Sequence, residues 1–216
     1  MTTITTNFMN VLNPQFSGTL QKNIDLYGNY KIIEYVKICR NPLDQFVKKA
    51  LDVITLGKFS EIEKQHIPTE NFYHLFMQLV LSDGGKTIYM QLEKNEVISI
   101  KVQNQPFKAV ESESLKIVKN DMTFQTLIYL TQNRMGNSDF IKYDPITNNC
   151  QNFVLNLTKT ICQYQYNVSV PKTLEQFIYQ PVQEILKKFD TTKKIMKTVT
   201  NLAGAAKRLW GKGLKH

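Results

Sequence analysis

The run from Phe72 to Leu81, the Asp83-Gly84-Gly85 break and the return from Thr87 to Leu92 constrain this chain more than any other feature. Apolar and aromatic residues ending in Asp-Gly-Gly describe a strand that turns back on itself, because glycine adopts the positive φ that a tight hairpin requires. Centring the turn between Gly84 and Gly85 sets the register. His74 then faces Asn95, Phe76 faces Glu93 and Gln78 faces Gln91, so Glu93 lies diagonally across from His74 on the same sheet face. A carboxylate there would orient an imidazole. Gln91 takes that role if the register moves by two residues, whereas a one-residue slip sends both to the wrong face.

A second feature gives the histidine a partner. Cys150 lies in Asn148-Asn149-Cys150-Gln151-Asn152-Phe153-Val154, and Phe153, Val154, Leu157 and Ile161 follow at helical spacing. Asn149 is a good N-cap, which makes Cys150 the first helical residue. Unpaired N–H groups and the positive dipole end at a helix start stabilise a thiolate. A base completes the pair. Of the three histidines, His216 is terminal and His66 precedes Ile67-Pro68 in an apparent loop, so His74 on its strand is the better candidate. Cys39 and Cys162 read as buried structural thiols.

Other strands are expected at Tyr30 to Ile38 and Val97 to Val102, and a helix over Thr123 to Gln132. Asn41-Pro42 should end the first strand and open a helix carrying Leu43, Phe46, Val47, Ala50, Leu51 and Ile54, closed by Gly57. Residues 1–29 carry little apolar patterning and read as a loosely structured arm. The domain itself is expected over 30–170, followed by a helical tail over 171–216.

That tail holds most of the charge. Nine Lys/Arg in residues 186–216 stand against Asp190 alone and supply +8 of the net +9, leaving a nearly neutral body. Within it Ile195, Val199, Leu202, Ala206 and Leu209 form an apolar stripe flanked by basic residues. Lys193, Lys194, Lys197, Lys207, Arg208, Trp210 and Lys212 would meet an anionic membrane surface. Nucleic acid or an acidic protein is the lesser expectation, since charge alone would serve there without the stripe.

Three cysteines without CxxC spacing argue against a disulfide framework or a zinc site and for a reducing compartment. The first residues lack a signal-peptide pattern and no apolar run reaches spanning length. The expected location is cytoplasmic or virion-associated, peripheral on membranes through the tail. No nucleotide-binding glycine loop, carboxylate pair or metal-ligand cluster competes with the Cys–His reading, and no cofactor is expected.

A His on an early strand, a polar residue on the next and a later Asn149-Cys150 at a helix start resemble the circularly permuted papain-like fold of the lecithin retinol acyltransferase and NlpC-like group. That family's motif continues Glu-His-Phe-Val after Asn-Cys. This chain keeps the Asn-Cys and Phe-Val and has Gln151-Asn152 between them. The acyltransferase branch has a second His on the next strand, where this chain has Glu93 or Gln91. The resemblance spans residues 70–160 and implies Cys150 as nucleophile and His74 as base. The segments Tyr73-His74-Leu75-Phe76, Leu92-Glu93-Lys94-Asn95-Glu96 and Asn149-Cys150-Gln151-Asn152-Phe153 are similar to uncharacterised proteins of large DNA viruses and virus-like mobile elements.

The expected architecture is therefore α+β, a small antiparallel sheet packed on the Cys150 helix with a basic amphipathic C-terminal extension. The expected function is a cysteine-dependent hydrolase or acyltransferase acting on an ester or amide carbonyl, a lipid ester favoured, through Cys150, His74 and Glu93. Backbone N–H groups at the helix start would hold the oxyanion. The alternative is a viral or membrane-associated interaction protein without turnover.

Overall fold

The hairpin forms as the sequence dictates. In the computed structural model, which describes residues 18–42, 73–95, 97–144 and 148–179, strands β2 (Tyr73–Ser82) and β3 (Thr87–Lys94) pair antiparallel in the expected register, Ser82 opposite Thr87 and Gln78 opposite Gln91. Gly84 takes φ 99°, and the Asp83 carboxylate accepts from the N–H groups of Lys86 at 2.8 Å and Gly85 at 3.0 Å. Those bonds favour the ionised acid and lower its pKa to about 2.

Strands β1 (Lys31–Pro42), β4 (Ile98–Gln103) and β5 (Glu111–Lys116) complete a five-stranded antiparallel sheet in the order β4-β3-β2-β1-β5. β1 runs past Ile38, where the sequence suggested its end, because Cys39 to Pro42 continue the pairing with β2 as far as Tyr73. Its register shifts between Ile32 and Val36, where Glu34 sits at φ 57°. The bulge bends a strand that must pair on both sides. β5 is an unexpected element. Its sequence, ESESLK, has no apolar alternation because an edge strand facing solvent needs none. The helix expected after Pro42 lies outside the described residues.

Helix α1 (Gly18–Tyr27) corrects the expectation of a loose arm over that stretch. Leu20 and Ile24, one turn apart, are buried in the core and suffice to dock it. Gly28 ends the helix by placing its N–H on the Ile24 carbonyl, so close that a Cβ there would collide with that oxygen.

Helices α2 (Phe124–Met135), α3 (Asn137–Ile141), α4 (Cys150–Tyr166) and α5 (Lys172–Ile178) follow. Thr123 caps α2 by accepting from Thr126 N–H, and Gly136 closes it at φ 80°. α4 packs on β2, β3 and α2, burying Phe153, Val154, Leu157 and Ile161 as their spacing predicts. The core lies between this helix layer and the sheet face carrying Leu75, Met77, Leu79, Met90 and Leu92. α5 belongs to the body rather than to a separate tail. Leu174 and Ile178 are buried, and the Arg40 guanidinium lies 4.0 Å from the Phe177 ring centre while donating to the Phe177 carbonyl. The basic residues from Lys193 to Lys212 lie outside the described residues. Among the described residues no helix is long and apolar enough to cross a membrane.

Candidate active site

Three elements converge on one histidine. The β2–β3 ladder stops at Met77 opposite Leu92, so the ends carrying His74 and Glu93 lie beyond its last pair. The tip of α4 meets β2 there. The Cys150 thiol interacts there with the His74 ring and with the backbone of Leu75. On the other side, His74 Nε2 lies 2.7 Å from Glu93 Oε2. The imidazole is therefore held between a thiol and a carboxylate, the order in which a nucleophile, its base and an orienting group must stand.

Glu93 is itself fixed. Its side chain is almost fully buried, and Oε2 accepts from Gln91 Nε2 at 3.0 Å as well as meeting His74. Oε1 accepts from the Ser99 hydroxyl at 3.4 Å. The sequence offered Glu93 and Gln91 as alternatives, but the structure uses both, Glu93 on the imidazole and Gln91 on Glu93. Ser99 was missed, although it pairs directly with Glu93 across β3 and β4. Its signal depended on a register hidden by the polar break at Asn95 and Glu96.

The electrostatics favour a thiolate–imidazolium pair. Burial opposes the His74 cation, but hydrogen bonds and charge from Cys150 and Glu93 outweigh it and raise the pKa from 6.5 to about 9. Burial likewise opposes the Cys150 thiolate. His74 and the Leu75 N–H overcome that, and the thiol is shifted below its ordinary value even though the Glu93 charge works against it. At Cys39 burial outweighs the opposing charge of Lys37. Burial pushes Cys39 up to about 12 and raises Cys162.

Asn149 sets the tip of α4 as predicted, its side chain accepting from Gln151 N–H at 3.0 Å and Asn152 N–H at 3.3 Å. Phe153 N–H is bound to the Asn149 carbonyl. This narrows the expected oxyanion site. Among the described residues, the N–H of Cys150 itself is the one amide of the first turn left without a partner. Replacing Asn149 with Ala should cost about 1 kcal/mol in urea unfolding and move the Cys150 alkylation profile to higher pH, because a first turn that frays without its cap no longer holds the thiol beside His74. An unchanged profile would mean that the cap serves stability alone.

Compared with family models, curated proteins and solved structures, the chain shows no significant similarity to any. The functional reading thus stands on the residues and their geometry.

Proposed function

We propose that this chain is a cysteine-dependent hydrolase or acyltransferase built on a permuted papain-like domain, with Cys150 as nucleophile, His74 as acid and base, and Glu93 as the group that orients His74. The observation that carries the reading is the placement of His74 between the Cys150 thiol and the Glu93 carboxylate. The Cys150 sulfur attacks an ester or amide carbonyl, and the new C–S bond pushes the carbonyl electrons onto oxygen, next to the Cys150 N–H. The tetrahedral adduct collapses as the C–O or C–N bond breaks, and His74 gives its proton to the leaving alcohol or amine. Water or an acceptor alcohol then attacks the thioester while His74 takes its proton. This second adduct collapses as the C–S bond breaks, which frees the acid or the new ester and restores the Cys150 thiolate beside the protonated His74.

Lipid esters are the favoured substrate class, because the basic, amphipathic sequence from Lys193 to Lys212 would hold the domain at an anionic surface. The test is incubation of the full chain with a p-nitrophenyl acyl ester, free and in anionic or neutral vesicles. Release of p-nitrophenol should accompany an acyl adduct on Cys150 detected by mass spectrometry, and Cys150→Ala should lose both. Faster turnover in anionic than in neutral vesicles supports the lipid preference. Release that persists in Cys150→Ala would remove the nucleophile from this reading.

A further inference from the structure

Lys94 is fully buried at 0% exposure. Burying an ammonium is costly unless its donors are met by well-placed partners, so a lysine in a core calls for a reason. Alternation along β3 puts Lys94 on the same face as Ile88, Met90 and Leu92, the face that packs on the helices, while Glu93 and Gln91 point the other way. Its Nζ lies 6.0 Å from the Phe153 ring centre in the first turn of α4. It donates to the Asp139 carbonyl at 2.6 Å and to Asn148 Oδ1 at 3.1 Å.

Asn148 is the hub of the turn that leads into α4. Its side-chain amide donates to the carbonyls of Asp139 at 2.5 Å and Lys142 at 2.8 Å, and its backbone exchanges two hydrogen bonds with Asp144. With Lys94 on Oδ1, both ends of the Asn148 amide are engaged. The next residue is the cap Asn149, and the one after is Cys150. A single β-strand thus supplies the contact to His74 through Glu93 and, from the adjacent residue on its opposite face, the contact to the turn that presents the thiol.

We propose that Lys94 is a positioning residue for Cys150: by holding Asn148 and the Asp139 carbonyl from inside the core, it fixes the turn that delivers the tip of α4 to His74. The role given to Cys150 rests on the catalytic reading above, whereas the clamp on residues 148–150 is a separate structural claim. Desolvation lowers the Lys94 pKa to about 8, as burial without a bonded carboxylate should. Lys94 touches no reacting atom, and its effect passes through Asn148.

The test compares the full chain with Lys94→Met, Asn148→Ala and the double variant. One readout is the pH profile of Cys150 alkylation by iodoacetamide, and the other is amide hydrogen exchange. Lys94→Met keeps the apolar stem and removes the donors. Its alkylation profile should move up by about one pH unit, a roughly tenfold loss of rate at pH 6. Exchange at Gln151, Asn152 and Phe153 should quicken tenfold or more while Leu79 and Met90 in the sheet stay unchanged. The double variant should shift no further than Asn148→Ala alone, because both substitutions break one linkage.

Superimposable alkylation profiles for Lys94→Met and the parent, or a double variant whose shift equals the sum of the two singles, would overturn the proposal. If the parent Cys150 behaves as an ordinary thiol, the catalytic reading fails, and hydrogen exchange alone decides the clamp: unchanged protection at 151–153 overturns it. Should Lys94→Met fail to fold, Asn148→Ala, which removes the acceptor for Lys94 together with the amide donors to the Asp139 and Lys142 carbonyls, is held to the same two readouts.

Discussion

At pH 6, brief treatment with iodoacetamide should modify Cys150 and leave Cys39 and Cys162 unmodified. The contrast follows from what surrounds each sulfur. Cys150 is partly exposed at a helix tip beside His74 and receives the Leu75 N–H, all of which favours its thiolate. Cys39 and Cys162 are each 1% exposed, and burial shifts both toward the unreactive thiol. His74→Ala removes the cation that lowers the Cys150 pKa, while burial continues to raise it. The rate at pH 6 should fall by about a hundredfold, since the thiolate fraction drops tenfold each time the thiol's pKa rises by one. Peptide mapping by mass spectrometry reads all three sites in one experiment. Equal labelling of the three cysteines, or a rate indifferent to His74→Ala, would end the nucleophile assignment.

Replacing Glu93 with Gln should lower kcat/KM for the p-nitrophenyl ester by about 10²- to 10⁴-fold while leaving the fold intact, the size of loss that follows neutralising the orienting acid of a catalytic triad. The accompanying pH effect has a definite sign. Glu93 helps raise His74 to about 9 through a hydrogen bond and its charge. Its loss lets the imidazolium give up its proton at lower pH. The alkaline limb of the pH–rate profile, which reports loss of the imidazolium, should therefore move down toward 6.5, the ordinary histidine value. Gln91→Leu leaves the carboxylate in place and should have a smaller effect with the same sign, because it loosens Glu93 without discharging it. A Glu93→Gln profile that keeps its alkaline limb would show that Glu93 does not act on His74.

The hairpin and the Cys150 helix were legible in the sequence for physical reasons. Asp83-Gly84-Gly85 leaves one economical turn, and that turn fixes the pairing that brings Glu93 to the end of β2 occupied by His74. Asn149 and the spacing of Phe153, Val154, Leu157 and Ile161 fix where α4 starts and which side it buries. What escaped was non-local or weakly patterned. β5 carries no apolar signal because it has solvent on one flank, and α1 docks through two residues only. Ser99 depended on how β4 pairs after the break. Lys94 could have been found, since alternation from Ile88, Met90 and Leu92 puts it inward, but its charge suggested a polar break instead. Membership of α5 in the body rests on Arg40, a partner far away in the sequence.

The early end of the β2–β3 ladder ties chemistry to architecture. Cys150 and His74 ride on different layers, a helix and a sheet, and they meet where β2 and β3 have stopped bonding to each other. The acidity of one sulfur is consequently a gauge of whether the two layers are seated. A partial opening that swings α4 away while every helix and strand survives would return Cys150 to ordinary thiol behaviour, with little change in far-ultraviolet circular dichroism. Labelling kinetics would register such a loosened state long before any global unfolding signal. The same dependence would keep the sulfur quiet during synthesis, arming it only once the helix has closed on the finished sheet.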